Sequence, residues 1–265
     1  MRRSLLVPLS LALLPPSLSC QQGARPAPST PGIIEGTVRL SGRMPALPPL
    51  PTSPSAASVC GTKVPDRSLV VGPEGALSYV VVALADGTEG PAPDSAATPA
   101  VLDQKRCAFD PPVLAARAGT SLEVRNGDAL LHNVNALAGS QRPVLNVALP
   151  FAGSRVRRSL PTAPGILQVR CDLHPWMNAA VRTFEHPWFT TTDASGHFRL
   201  EVPPGTHSVV LWHPRLPGVS RTVSVRAGQS VRLDQVWGAT EVRGLPAGEA
   251  PAVSRASGQD QPVVP

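Results

Sequence analysis

The chain has 265 residues, of which 42% are hydrophobic, 16% charged and 4% aromatic, and its formal net charge is +6. These values are typical of a globular protein with room for one or two domains. The basic residues are scattered and are not interleaved with aromatic side chains, which argues against a nucleic-acid-binding protein. A mildly basic surface is the simpler interpretation.

The first twenty residues have the pattern of an export signal. Two arginines precede an apolar run from Leu5 to Leu14 that is too short to span a bilayer. Cys20 follows, ahead of a polar, proline-rich stretch, and this layout resembles a bacterial lipoprotein signal in which the cysteine carries the lipid. We therefore expect a signal peptide at 1–19, a lipoprotein linker at 20–32 and a cell-envelope protein held at the outer membrane only through lipid on Cys20. An ordinary signal peptide that happens to contain a cysteine is the alternative.

The remainder of the chain predicts an all-β fold. Short alternating runs rich in Val recur, and no long helical pattern of apolar residues follows the leader. Residues 77–84 form a nearly continuous apolar run, which is typical of a strand buried on both faces. The proline-rich stretch 44–54 is expected to be extended but unpaired. Further strands are predicted at 33–40, 113–116, 121–125, 155–160, 166–170, 179–184, 188–192, 197–202, 207–212, 221–225 and 231–237.

A short loop between two of these strands carries three potential metal ligands. Cys171, His174 and Met177 are spaced three residues apart, and His132 lies upstream at a strand end. Two imidazoles, one thiolate and a weak thioether are the ligand set of a mononuclear blue-copper electron-transfer site. The simpler alternative is a buried thiol beside a structural histidine. We predict one type 1 copper ion bound by these four side chains.

The other cysteines have different predicted roles. Cys20 is assigned to the lipid, which leaves Cys60 and Cys107. In an oxidising compartment two leftover thiols are more often paired than free, so a Cys60–Cys107 disulfide is predicted. The alternative is that both are additional metal ligands, although neither has a neighbouring Cys or His at ligand spacing.

The ligand loop, CDLHPWM at 171–177, resembles that of the cupredoxins of the amicyanin and plastocyanin type, and the segment 132–134 is similar to their first-ligand segment. The resemblance covers roughly residues 113–184 and implies a Greek-key β-sandwich, within a cupredoxin-like domain at 33–184 that includes an N-terminal extension. It implies equatorial bonds from His132, Cys171 and His174, and an axial bond from Met177. The whole layout resembles exported bacterial proteins of the methylamine-utilisation-like or plastocyanin-like kind.

Three neighbours of the ligands gain roles from the same resemblance. Asn133 is expected to stabilise the ligand loop by hydrogen bonding near the cysteine sulfur. Pro175 and Trp176 are expected to form an apolar patch through which electrons enter. Packing of Trp176 against the C-terminal part of the chain is an equal alternative.

Residues 185–237 resemble the transthyretin-like, carboxypeptidase-regulatory-like module. The shared phrase, TDxxGxFxL followed by PPGxH, runs from Thr192 to His207. The resemblance implies a second, smaller β-sandwich, and the strand at 33–40 resembles the opening strand of such modules and is a candidate to pair with it. Residues 238–265 are expected to form a disordered tail. The histidines of this part of the chain lack ligand spacing, so surface or capping roles are expected for His186, His197, His207 and His213.

These features predict a monomeric, exported protein that carries single electrons between a donor and an acceptor redox protein. We expect no enzyme activity and no catalytic residues. Multicopper oxidases and nitrite-reducing centres need further histidines, usually as His-x-His pairs, and a binuclear copper centre needs a second cysteine in the ligand loop; the sequence has neither. The alternative is an envelope copper carrier or partner-binding lipoprotein without a redox role.

Overall fold

The computed structural model of the protein describes residues 30–92, 98–139 and 141–244. The predicted signal peptide, Cys20, most of the linker and most of the tail lie outside these ranges. Strands dominate the described residues and helices are confined to single turns, so the all-β prediction is confirmed. In the same ranges, no helix has the length and apolar character needed to cross a membrane.

The strands form two β-sandwiches and one small hairpin. One four-residue helix, α1 (Ala57–Cys60), lies in the chain between the two strands of the hairpin. In chain order the strands are β1 (Gly32–Ser41), β2 (Leu50–Pro51), β3 (Lys63–Val64), β4 (Val81–Leu84), β5 (Ala100–Lys105), β6 (Ala108–Asp110), β7 (Val113–Arg117), β8 (Ser121–Asn126), β9 (His132–Ala138), β10 (Arg142–Leu149), β11 (Arg155–Ser159), β12 (Gly165–Arg170), β13 (Asn178–Phe184), β14 (Phe189–Thr191), β15 (His197–Val202), β16 (Gly205–Trp212), β17 (Val219–Val225), β18 (Ser230–Arg232) and β19 (Gln235–Gly238).

The central sandwich, residues 100–184, contains the predicted metal ligands. Its five-stranded sheet has the order β10-β9-β12-β13-β7, and its four-stranded sheet has the order β11-β8-β5-β6. Alternate side chains of both sheets meet in one buried core, because successive residues of a strand point to opposite faces. Members of this core are Leu102, Val124, Val134, Val169 and Val181, together with Cys171 and Met177.

The terminal sandwich combines the first strands of the chain with the last. One sheet has the order β15-β1-β18, with β19 also paired to β1, and the other has the order β14-β4-β16-β17. Every second residue of β1 is buried, and Ile34 lies opposite Leu200 on β15. The strand at 33–40 therefore pairs with the C-terminal strands. Strand β4 also belongs to the terminal sandwich, because it pairs with β14 and β16. The predicted domain boundary at residue 184 had placed β1 and β4 in the same domain as the metal ligands. Both strands instead pack their apolar faces against the C-terminal strands.

Strand β4 connects the cores of the two sandwiches. Val82 and Leu84 pack inside the terminal sandwich, whereas Val81 and Ala83 face outward and pack against the central sandwich, chiefly at Phe184. All four residues of β4 are fully buried, as the continuous apolar run predicted. The two sandwiches therefore share a dry contact along this strand.

The segment between β1 and β4 makes a second, covalent connection. Cys60 at the end of α1 is bonded to Cys107 of the central sandwich, with their Cα atoms 5.6 Å apart, so the predicted disulfide is confirmed. The expectation that 44–54 is unpaired is wrong at Leu50 and Pro51, which pair with β3. Proline is tolerated there because an edge strand leaves its nitrogen side without a partner strand.

At the C-terminal end the regular structure extends into the predicted tail. Gly238 completes β19, and Ala239–Glu241 form one turn of 3-10 helix. The Glu241 carboxylate accepts a hydrogen bond from the Gly238 amide at 2.6 Å, which fixes this turn to the end of the strand.

Candidate metal centre

The chain folds so that the four predicted ligands lie at one end of the central sandwich. His132 is the first residue of β9, and Cys171 directly follows β12, the neighbour of β9 in the sheet. The loop then returns to β13, which starts just after Met177. Because β9 and β12 are antiparallel, the start of one strand meets the end of the other, and the distant His132 reaches the loop.

Hydrogen bonds within the loop keep it compact. The Cys171 amide donates to the Met177 carbonyl at 3.2 Å, and the amides of His174 and Met177 donate to the carbonyls of Cys171 and His174 at 3.3 and 2.8 Å. Met177 is only 1% exposed and belongs to the same core cluster as Cys171. The loop thus turns all three of its potential ligands inward.

Three donor atoms converge in this buried space. His132 Nδ1 lies 2.9 Å from His174 Nδ1, and the Cys171 sulfur lies 3.9 and 3.4 Å from these two nitrogens. Metal bonds of about 2.0–2.3 Å to nitrogen and sulfur leave such donors roughly 3–4 Å apart around a shared ion. Imidazole and thiolate donors in a dry pocket suit a copper ion. The residues present therefore fit a copper site.

The electrostatics of the metal-free site favour a thiolate beside a cation. Burial opposes the charge of His132, but hydrogen bonds with Asp128 and Cys171 outweigh it and raise its pKa to about 9. Burial likewise raises the pKa of Cys171, yet hydrogen bonds from His132 and from the backbone amides of Asn133 and Leu173 lower it on balance. Burial, with the nearby charge of His132, lowers the pKa of His174 to about 4. The low pKa of His174 favours the neutral imidazole that binds a metal, whereas His132 must lose a proton when a metal binds.

Asp128 belongs to the site, although no metal-binding pattern in the sequence identifies it. Its Oδ2 lies 3.2 Å from His132 Nε2, the ring nitrogen that faces away from the other donors. The amides of Arg106 and Cys107 donate to the same carboxylate at 2.7 Å each. Burial raises the pKa of Asp128, but these hydrogen bonds outweigh it and lower the pKa. The carboxylate therefore fixes the His132 ring with Nδ1 toward the site.

Asn133 holds the ligand loop from the neighbouring strand. Its Oδ1 accepts a hydrogen bond from the Asp172 amide at 2.7 Å, and its Nδ2 donates to the Asp172 carboxylate at 2.8 Å. Asn135 Nδ2 donates to both oxygens of that carboxylate at 3.0 Å. Asp172 adjoins Cys171, so these contacts fix the backbone beside the sulfur. Asp172, like Asp128, is a functional residue that the sequence interpretation missed.

The two residues of the predicted electron-entry patch differ in their surroundings. Pro175 is exposed, whereas Trp176 is partly buried and its indole nitrogen donates to the Cys107 carbonyl at 3.2 Å. The Trp176 ring lies 5.0 Å from the His174 ring, centroid to centroid. Trp176 thus packs on the turn between β5 and β6 of its own sandwich. Besides Pro175, the large apolar side chains of Leu131 and Leu173 are exposed, and each directly precedes a candidate histidine ligand.

Comparison with known proteins finds cupredoxins among solved structures. No protein-family model and no curated protein matches the sequence. Amicyanin from Paracoccus versutus is 18% identical with a TM-score of 0.29, over 38% of this chain and 96% of that one. The purple cupredoxin from Nitrosopumilus maritimus is 19% identical with a TM-score of 0.28, over 32% of this chain and 98% of that one. A Cu-containing nitrite reductase from Thermus scotoductus SA-01 is 24% identical with a TM-score of 0.28, over 39% of this chain and 25% of that one. These likenesses are distant, and the choice of metal rests on the donor atoms themselves.

Proposed function

We propose that the protein is a blue-copper electron carrier that binds one copper ion through His132, Cys171, His174 and Met177. The observation that carries the proposal is the convergence of one cysteine sulfur and two histidine nitrogens within 4.8 Å of one another in a buried pocket. A copper ion bound there would supply one-electron chemistry between its Cu(I) and Cu(II) states.

The chain's own residues restrict how far the donors can move. His132 is fixed by Asp128, and the loop is fixed by its internal hydrogen bonds and by Asn133. Electron transfer is fast when oxidation changes the ligand geometry little, and a rigid donor set supports that. The buried pocket also keeps water from the donors: His132, Cys171 and His174 are each at most 6% exposed.

Contact with redox partners is proposed through the exposed apolar side chains beside the histidine ligands. Leu131 is 44% exposed and Leu173 is 50% exposed. Each side chain adjoins a histidine ligand by one peptide bond, so a partner seated on it comes close to the copper. We further propose that the protein is exported and attached to lipid at Cys20. In the cell envelope it would exchange electrons with separate donor and acceptor proteins. The likeness of the terminal sandwich to transthyretin-like modules stays a prediction.

Copper loading of the purified protein tests the proposal. Addition of Cu(II) should produce an intense visible thiolate-to-copper band and a narrow copper hyperfine splitting in the EPR spectrum. Cys171→Ser should abolish the visible band, because the absorption arises from the thiolate. The matched control is Cys60→Ala/Cys107→Ala, which removes two other cysteines and should keep the colour. A wild-type protein that binds copper and stays colourless would overturn the electron-carrier proposal and favour a copper carrier without a redox role.

A further inference from the structure

The turn between β5 and β6 has an unusual backbone for its residues. Arg106 and Cys107 both have positive φ angles, 54° and 55°. Two-residue hairpin turns of this shape favour glycine or asparagine, because other side chains crowd the backbone. Such strained backbone persists only where surrounding contacts fix it, and it is found most often at functional sites. The contacts of this turn therefore indicate what it does.

One side of the turn holds Asp128. The amides of Arg106 and Cys107 both donate to its carboxylate, which in turn contacts the His132 ring. The Asp128 side chain is 10% exposed, so water competes little for these hydrogen bonds. The turn thus sets the position of the group that orients the first histidine ligand.

The other side of the turn holds Trp176. The Cys107 carbonyl accepts its indole hydrogen bond, and the indole packs on the ring of His174. The Cys107 amide therefore contacts Asp128, which orients His132, and the Cys107 carbonyl contacts Trp176, which packs on His174. It is itself fully buried and is bonded to Cys60 in the segment that precedes β4 of the terminal sandwich.

We propose that the disulfide-bound turn at Arg106 and Cys107 is a positioning element that sets the reduction potential of the copper site. The proposal rests on the proposed copper function. A carboxylate that accepts the ring N–H of a metal-bound imidazole makes that imidazole a stronger donor. A stronger donor stabilises Cu(II) more than Cu(I) and lowers the reduction potential. Loosening the turn weakens the contact of Asp128 with His132 and therefore raises the potential.

A double-mutant cycle in copper-loaded protein tests this coupling. One arm is Cys60→Ala/Cys107→Ala. Both cysteines are replaced so that no free thiol other than Cys171 lies near the metal, since the Cys107 sulfur is within 4.8 Å of the ligand atoms of Asp128 and His132. The other arm is Asp128→Asn, and the last variant combines both. We expect each arm to raise the potential measured by voltammetry, and the combined variant to match Asp128→Asn alone. An unchanged potential without the disulfide, or shifts that simply add, would overturn the proposal.

A second experiment measures the stability of the disulfide in metal-free protein. It requires no copper, and it does not depend on whether the variant without the disulfide folds. If the disulfide and Asp128 support each other, the coupling is reciprocal. In metal-free Asp128→Asn protein the disulfide should therefore be reduced in a less reducing glutathione buffer than in wild type. Asp86→Asn is the matched control, since Asp86 pairs with Arg182 at 3.2 Å between the two sandwiches, and it should behave as wild type. Identical reduction curves for all three proteins would refute the coupling.

The two proposals fail in different ways. A colourless copper-loaded wild type would refute the electron-carrier function, whatever the disulfide does. A blue wild type whose reduction potential is unchanged both by removal of the disulfide and by Asp128→Asn would refute only the role assigned to the turn.

Discussion

At the scale of single residues, Met177 is the proposed fourth ligand of the copper site, and a weak thioether ligand of this kind tunes the reduction potential. It is 1% exposed and lies within the loop that also carries Cys171. Met177→Leu keeps the volume and the apolar character of the side chain, so the fold should not change. The visible thiolate band should persist, because the cysteine and both histidines remain. The reduction potential should rise, since Cu(II) loses a donor; voltammetry of the copper-loaded variant measures this. An unchanged potential would mean that Met177 is core filling only.

His213 makes a pH-dependent contribution to stability. It is fully buried, and this burial together with the charge of Arg215 lowers its pKa to about 3. An unfolded chain binds a proton at this histidine below about pH 6.5, while the folded chain does not. The stability is therefore complete above pH 6.5 and is lost as the pH falls from there toward 3.

His213→Asn should remove that dependence. Asn keeps an acceptor for the Arg215 amide, which donates to His213 Nδ1 at 3.2 Å, but it does not titrate. The slope of unfolding free energy against pH should fall by up to about 1.4 kcal/mol per pH unit between pH 6.5 and 4. Urea unfolding of both proteins at several pH values measures it. Equal slopes would show that His213 is protonated in the folded protein as well.

At the scale of elements, the ligand loop depends on β9 for its position. Asn133 joins the two through hydrogen bonds to both the amide and the carboxylate of Asp172. Asn133→Ala leaves the Asp172 amide without its partner in a half-buried place, while Asn135 and Arg170 still donate to the carboxylate, and it should lower the unfolding free energy by about 1–3 kcal/mol. The visible band should shift as well, because the backbone beside Cys171 is no longer held. Asn178→Ala is a control at the end of the loop, since the Asn178 side chain donates to the Pro175 carbonyl and not to Asp172, and it should leave the band in place.

The sequence identified the candidate ligand loop because its chemistry lies in three side chains at fixed spacing, Cys171, His174 and Met177. It also predicted most strands of the terminal sandwich, where burial alternates along the chain, as in β15. It missed β5, β6, β9 and β10, where polar residues interrupt the alternation. In β9 those polar residues, Asn133 and Asn135, point to the ligand loop rather than to solvent.

Other features depend on contacts between distant parts of the chain. Asp128 follows Asn-Gly in the sequence, a turn signal without metal-binding spacing, and only the fold places the Arg106–Cys107 turn and His132 around it. His186 and His213 were expected at the surface or as caps; both are buried, and each caps the chain by accepting the amide two residues on at its Nδ1. A local sequence window carries no information on such contacts, because the partners lie tens of residues away.

At the scale of the whole molecule, we expect the two sandwiches to unfold as one unit. They share the buried cluster of Val81, Ala83, Val113 and Phe184, and the Cys60–Cys107 disulfide joins them again near the metal site. Phe184 is fully buried, and its ring stacks on Phe189 of the terminal sandwich with centroids 5.2 Å apart. The free energy of this contact determines whether the sandwiches unfold together.

Phe184→Ala should uncouple them. Removal of a buried phenylalanine costs about 3–5 kcal/mol, and here the loss falls on the contact between the sandwiches. Two probes separate the halves of the molecule: the copper band reports on the central sandwich, and fluorescence reports mainly on Trp188, Trp212 and Trp237 of the terminal sandwich. The two thermal unfolding curves should coincide in wild type and diverge in Phe184→Ala. Phe151→Ala is the control, since Phe151 is 74% exposed and its loss should leave the curves coincident. Coincident curves in Phe184→Ala would show that the other connections, among them the disulfide and the Asp86–Arg182 ion pair, suffice to keep the sandwiches cooperative.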